Sequence, residues 1–174
     1  MALHFSATEY SKRFERLQTA MDERKLDCML LFAPESMYWL TGYDTFGFCY
    51  FQCLVVKRSG EMVLLTRAPD LRQARHTSII ENIAVWTDRE GADPTNDLHK
   101  LLGDLDLVGT RIGIEYDTVG LNGRHTRALD ARLKAFGETQ DASDLVTNLR
   151  MIKSGAEINQ IRKAGELADD ALDA

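Results

Sequence analysis

Five apolar residues stand in a row near the start of this chain, Cys28-Met29-Leu30-Leu31-Phe32. A strand with one wet face alternates apolar and polar residues, whereas an unbroken run has no polar face to offer water. The segment therefore reads as a strand covered on both sides. Such a strand needs a layer of helices above its sheet and another below, and the rest of the chain must supply them.

The flanking patterns do supply them. Ser6 and Glu9 have the spacing of a capping box, with Phe5 and Tyr10 placed as a hydrophobic staple. Tyr10, Phe14, Leu17 and Met21 line one face of a first helix that ends near Lys25. Pro34 closes the apolar strand, and Glu35 to Leu40 fits one turn of helix before Thr41-Gly42. A long strand is expected over about Phe48 to Lys57, a turn at Arg58-Ser59-Gly60-Glu61 and a returning strand over Met62 to Thr66. A short helix over Asp70 to His76, a strand over Asn82 to Trp86, and a helix from Pro94 to about Leu102 follow. Arg111 to Glu115 reads as a strand, and Asn122 as the cap of a helix carrying Leu129 and Leu133. A small strand near Glu138 to Gln140 precedes a short helix through Leu145 and Leu149. Helices alternating with strands, interrupted by one hairpin, predict an α/β fold with a mixed sheet between helix layers.

The final stretch predicts one more helix. Ser154 and Glu157 form a second S-x-x-E box, and Ile158, Ile161, Gly165, Ala168 and Leu172 follow as one stripe. Asp169, Asp170 and Asp173 sit where the helix dipole favours cations. An apolar stripe with an unfavourable end reads as a helix awaiting a partner, and the chain as the N-terminal domain of something longer.

Composition narrows the function. The net charge of -6, with no basic cluster, argues against nucleic acid as a partner. The longest apolar run, Cys28 to Ala33, is far too short to cross a membrane. Met1 to Ser6 lacks the charged-then-apolar pattern of a secretory leader. Three cysteines, Cys28, Cys49 and Cys53, cannot all pair internally, which fits a reducing cytoplasm.

Few residues announce chemistry. His4, His76, His99 and His125 show no metal-ligand spacing and read as exposed, structurally neutral side chains. Cys49 and Cys53, on one face of the expected strand, fit either a metal or redox pair or two buried small hydrophobes. A cysteine nucleophile would need a histidine beside it. The exception is Pro34-Glu35-Ser36-Met37-Tyr38-Trp39-Leu40-Thr41-Gly42-Tyr43. It follows a buried strand, where ligands of α/β sheets often bind, and Phe46, Phe48, Tyr50 and Phe51 lie just beyond. These aromatics fit either a pocket wall or interface anchor, or a core cluster that fixes the loop. Tyr38 and Trp39 lean to the core, and Tyr43 to Phe48 to the surface. Arg67 ends a strand and fits either a carboxylate fork or surface solvation. Arg72 and Arg75, at helical spacing beyond it, lean to solvation.

Two motifs carry a resemblance to the N-terminal domain of the creatinase, prolidase and aminopeptidase P family of metallohydrolases. Pro34-x-Ser36-x-x-Trp39-Leu40-Thr41-Gly42-Tyr43 is similar to the family's P-x-N-x-x-Y-L-T-G-F/Y loop, with Ser36 in place of Asn. Leu149-Arg150-x-Ile152-Lys153-Ser154-x-x-Glu157-Ile158-x-x-Ile161-Arg162-x-Ala164 resembles the helix that opens the family's catalytic domain. The segments around Phe46 and Arg72 look closest to the creatinase and ectoine hydrolase branch.

The resemblance implies a three-layer α/β/α fold similar to ribonuclease H, with residues 1–150 as the N-terminal domain and 151–174 as the start of an absent catalytic domain. That domain would hold two divalent metals (Mn, Co or Zn), none of them bound by this fragment. The chain would be non-catalytic, and the parent a metal-dependent C–N hydrolase: an Xaa-Pro peptidase or a creatinase- or ectoine hydrolase-like enzyme. Its partners would be its own catalytic domain, a second copy in a homodimer, and a dipeptide or other small substrate. Tyr43, Asp44, Phe46, Tyr50 and Arg67 would serve the partner's substrate site. The alternative is a protein-interaction module of a pseudo-enzyme with the same fold.

Overall fold

The computed structural model describes residues 3–173. Residues 1, 2 and 174, and with them the outer limits of both expected segments and the start of the leader reading, lie outside the described residues.

Ser6 caps α1 (Ala7–Glu23), its hydroxyl accepting from the Glu9 N–H at 3.2 Å. Phe5 and Tyr10 meet edge to face with ring centroids 6.2 Å apart, as a staple requires. The reciprocal half of the first capping box is absent. The Glu9 carboxylate lies 3.3 Å from Arg13 and accepts from the Ser154 hydroxyl at 2.7 Å. A charged partner holds a carboxylate more strongly than a lone neutral donor.

The apolar run forms β1 (Cys28–Leu31), buried at every position. The chain continues through α2 (Pro34–Thr41), the hairpin β2 (Cys53–Lys57) and β3 (Met62–Arg67), a 3-10 turn at Ala68–Asp70, and α3 (Leu71–Thr77). Then come β4 (Asn82–Trp86), α4 (Pro94–Asp104), β5 (Arg111–Ile114), α5 (Gly123–Leu133), β6 (Glu138–Asp141), α6 (Ser143–Met151) and α7 (Gly155–Asp173). The strands form one six-stranded sheet in the order β4-β3-β2-β1-β5-β6. The pairs β1–β2 and β2–β3 are antiparallel, and β3–β4, β1–β5 and β5–β6 are parallel.

Side-chain alternation sorts the strands onto two faces. Met29, Leu31, Leu54, Val56 and Leu64 pack with Leu17 and Met21 of α1, Leu40 of α2 and Leu145 of α6. Cys28, Leu30, Val55, Leu65 and Ile112 pack with Leu98 and Leu102 of α4 and with Leu129 and Leu133 of α5. The result is the expected three-layer α/β/α arrangement around a mixed sheet.

Three local expectations fail. The strand predicted over Phe48 to Lys57 begins only at Cys53. A turn closed by the Tyr50 N–H on the Gly47 carbonyl, at 2.9 Å, keeps residues 48–50 out of the sheet. Cys49 and Cys53 therefore do not share a strand face: Cys49 is exposed in the turn and Cys53 is buried. Two histidines are also less exposed than expected. His99 and His125 are half-buried, stacked edge-on against Phe136 and Phe51.

No residue of α7 is buried. Its first turn is nonetheless fixed. The Ser154–Glu157 box closes in both directions, at 2.7 and 3.2 Å. Glu157 also accepts from the Trp39 indole at 2.8 Å and lies 3.2 Å from Arg13. Arg13, only 2% exposed, donates to the Trp39 carbonyl at 2.7 Å and stacks 4.0 Å over the Phe5 ring. One buried guanidinium thus ties α1, α2 and α7 together.

Candidate functional site

The segment between α2 and β2 is built from its polar anchors outward. Gly42 ends α2 with φ +81, a left-handed conformation that only glycine adopts cheaply. A Cβ there would also fall 2.6 Å from the Tyr10 hydroxyl. The reversal at Gly42 turns Tyr43 inward, where it is 0% exposed and belongs to the core. This corrects the expectation that Tyr43 faces the surface. Its hydroxyl donates to the Gln52 side-chain oxygen, which also accepts from the Thr66 hydroxyl at 3.0 Å. Burial is the main reason the Tyr43 hydroxyl titrates above the usual tyrosine range.

Gln52 is the organiser that sequence reasoning missed. Besides those two acceptor contacts, its amide donates to the Gly47 carbonyl at 2.7 Å and to the Thr45 hydroxyl at 3.2 Å. A glutamine inside the apolar stretch Phe51-Gln52-Cys53-Leu54 was the available signal, because a buried amide must find partners. Gly47 packs so closely that a Cβ would lie 2.7 Å from both Gln52 and the Asp70 carboxylate. The Asp44 and Phe46 N–H groups reach Thr77 and Gln73 of α3 at 3.2 and 3.4 Å.

With its backbone pinned, the loop holds aromatic rings out to solvent. Phe46 is 86% exposed, Phe48 52% and Tyr50 45%. The Tyr50 ring carries the Arg67 guanidinium 3.3 Å above its centroid. Arg67 Nε donates to Asp70 at 3.0 Å, and Asp88 lies 4.0 Å from another of its nitrogens. Of the five residues expected at a substrate site, Asp44, Phe46 and Tyr50 are exposed, Tyr43 is core, and Arg67 is engaged inside the domain by Asp70 and Tyr50.

Beside this loop, at the C-terminal ends of β1 and β5, lies a polar crevice of about 660 Å³ lined by Glu35, Glu115, Tyr116, Asp117 and Arg150 among others. The connection from β1 leaves toward one face of the sheet and that from β5 toward the other, the place where open α/β sheets form clefts. Glu115 is structural here. Its carboxylate accepts from the Phe32 and Ala33 N–H groups, at 3.0 and 2.7 Å, and from the Ser36 hydroxyl at 2.6 Å. Burial pushes its pKa above the usual glutamate range, although these three donors pull the other way. Ser36 thus has a defined partner. A smaller cleft of about 230 Å³, lined by Pro34, Glu35, Tyr38, Tyr43, Asp44 and Arg150 among others, adjoins the loop.

Among the described residues no group of three or more His, Cys, Asp or Glu side chains could hold a metal ion. The two metals implied by the resemblance find no ligand set among the described residues. Nor is a buried thiol poised as a nucleophile. Burial pushes Cys28 up to about 12 and Cys53 well above the ordinary thiol value, the opposite of what a reactive cysteine needs.

Comparison with known proteins places this geometry in a family. The profile of the creatinase/prolidase N-terminal domain matches residues 13–152. An ectoine hydrolase of Halomonas elongata is 30% identical over 176 aligned positions, covering 96% of this chain and 43% of that protein. A dipeptidase from Pyrococcus horikoshii OT3 superposes with a TM-score of 0.71 at 25% identity, over 92% of this chain and 42% of its own. A prolidase from Thermococcus sibiricus shares the fold, with a TM-score of 0.78 at 16% identity, over 96% of this chain and 44% of its own. The chain spans less than half the length of each of these proteins.

Proposed function

The chain belongs to the creatinase/prolidase N-terminal domain family, and on that footing we propose that it is the non-catalytic N-terminal domain of a cytoplasmic, metal-dependent C–N hydrolase. Its work is to help form a homodimer and to close the substrate pocket of the partner subunit. The hydrolase acts on an Xaa-Pro dipeptide or on a small nitrogenous compound such as ectoine. Its two divalent metals, and the residues that bind them, belong to a catalytic domain following residue 150.

The observation that carries this reading is the pinned aromatic loop. A monomeric domain gains nothing by holding Phe46, Phe48 and Tyr50 in water on a backbone fixed by Gln52, Thr77 and Gln73. An apolar cluster on a rigid support suits a contact surface. The boundary near residue 150 fits the end of the family match at 152 and α7 beyond it, in which no residue is buried. The exposed, unpaired Cys49 suits a reducing compartment. Asp44 and Phe46 supply the polar and apolar contacts of the pocket wall. Tyr43 and Arg67 act indirectly, by holding the loop.

The test is Phe46→Ala in the full-length parent. Losing the burial of one aromatic ring, ~1.5–3 kcal/mol, lowers kcat/KM by roughly tenfold to hundredfold with the melting temperature unchanged. Unaltered kinetics would refute the pocket role.

A further inference from the structure

The polar crevice at the C-terminal ends of β1 and β5 is lined by charged side chains that the fold itself leaves unused. Arg150, in the last turn of α6, is half-buried and forms no hydrogen bond or ion pair among the described residues. Glu35, in the first turn of α2, and Asp117, just beyond β5, are exposed, and their carboxylates are equally unengaged. Glu115, on the same wall, is no counterpart for Arg150, because its carboxylate is already occupied by Phe32, Ala33 and Ser36. Opposite charges thus line one crevice without closing on one another.

We propose that this crevice binds a small zwitterion, a molecule carrying one carboxylate and one ammonium group, as an amino acid or a short peptide does. The planar fork of Arg150 takes the carboxylate. Glu35 and Asp117 accept from the ammonium. None of Tyr43, Asp44, Phe46, Tyr50 and Arg67 lines this crevice, so the site stands apart from the pocket reading above.

Three observations carry the proposal. First, the size and place suit a small ligand. The volume of about 660 Å³ lies within the roughly 300–1,000 Å³ of small-molecule sites, at the position where open α/β sheets bind ligands. Second, the charge pattern selects against simpler ions. An anion alone would meet Glu35 and Asp117 as like charges, and a cation alone would meet Arg150. A guanidinium left without a partner is also unusual in a chain with 27 acids against 21 lysines and arginines. Arg24 and Arg132, half-buried as well, are each closed by an aspartate, Asp144 and Asp93. Third, the wall is held before any ligand arrives. The Ser143 hydroxyl accepts from the Tyr116 and Asp117 N–H groups at 2.9 and 3.0 Å. The Tyr116 hydroxyl donates to Asp130 at 2.6 Å, and Glu115 ties the end of β1 to the start of α2. A wall already ordered loses little freedom on binding.

The test is a chemical-shift titration of this chain, whose core is closed on both faces of its sheet, labelled with nitrogen-15. The probes are L-alanine, alanylalanine, propionate and propylammonium, each taken to tens of millimolar. Saturable shifts are expected at the N–H groups of Ala33, Asp117 and Thr118 with the two zwitterions. The tighter of the two names the source, a free amino acid or a short peptide. Propionate and propylammonium, each lacking one charged end, are expected to bind roughly tenfold or more weakly. Arg150→Gln is expected to weaken L-alanine and alanylalanine by a similar factor with the melting temperature retained, because this guanidinium bonds nothing inside the domain. Glu35→Gln, at an exposed position, keeps the test decisive if the Arg150 variant disturbs folding. It weakens the zwitterions and leaves propionate no weaker. Absence of saturable shifts with both zwitterions overturns the proposal. So does propionate binding as tightly as L-alanine, and so does an affinity indifferent to both substitutions. The pocket reading is tested separately, by the parent's kinetics in Phe46→Ala, and neither result decides the other.

Discussion

Arg67 and Phe46 sit within one loop system and are predicted to behave oppositely on substitution. Arg67→Ala removes the partner of Asp70, a carboxylate with little solvent access, and takes away the cation on the Tyr50 ring. Severing a buried pair costs roughly 3–5 kcal/mol, so a melt of this chain alone shows a large loss. Phe46→Ala, at an exposed ring, changes stability by no more than about 0.5 kcal/mol. Thiol labelling separates Cys49 from Cys28 and Cys53 in the same way. One equivalent reacts with the native protein and three with the denatured one, because burial holds the other two thiols protonated. Glu115 adds a pH dependence. Its folded pKa is raised by burial, so the native state binds the proton more tightly than the unfolded chain does. Its contribution is therefore present at low pH and is lost as pH climbs from the ordinary glutamate value through the raised one. Melts of the wild type and Glu115→Gln across that window show the wild-type advantage shrinking with rising pH. A difference that stays flat would contradict the assignment.

At the scale of elements, α7 has two parts with different prospects. Its first turn is locked by Glu157 to Arg13 and Trp39, while the rest buries nothing. Amide exchange is therefore slow near Glu157 and fast beyond Ile161, and Glu157→Ala spreads fast exchange through the first turn. Uniformly slow exchange in a monomer would show the helix covered by its own domain. Most elements were legible in the sequence because periodicity and punctuation agreed. The run at Cys28, the Ser6, Asn122 and Ser154 caps and the prolines at 34 and 94 each mark an element now observed. The loop at residues 43–52 was not legible. Its aromatic content resembles a strand, and what breaks the strand is a side-chain amide, Gln52, bonding to residues near and far. No local pattern encodes such bonds. The inward turn of Tyr43 likewise follows from the Gly42 reversal and from a partner nine residues on, the Gln52 side chain.

For the whole molecule, the fold and the family were readable from two motifs and the order of elements, and the site only in part. Phe46 and Phe48 were read as leaning to the surface, and both are exposed; Tyr43, read the same way, is core. Arg67 was read as a substrate fork or a solvated side chain; the structure engages it with Asp70 and Tyr50, partners that reach it only after the hairpin folds. The proposed role of this domain is that its loop completes the active site of the neighbouring subunit. Subunit complementation in the full-length parent tests it most directly. One subunit keeps its loop but lacks the metal ligands of its catalytic domain; the other keeps the ligands but carries Phe46→Ala. Each is deficient alone. If the loop acts across the dimer, mixing and reassembly restores activity, because the intact loop closes the intact catalytic site of its partner. If the mixture remains no more active than the Phe46→Ala protein alone, the loop serves its own subunit or none, and the claim is wrong.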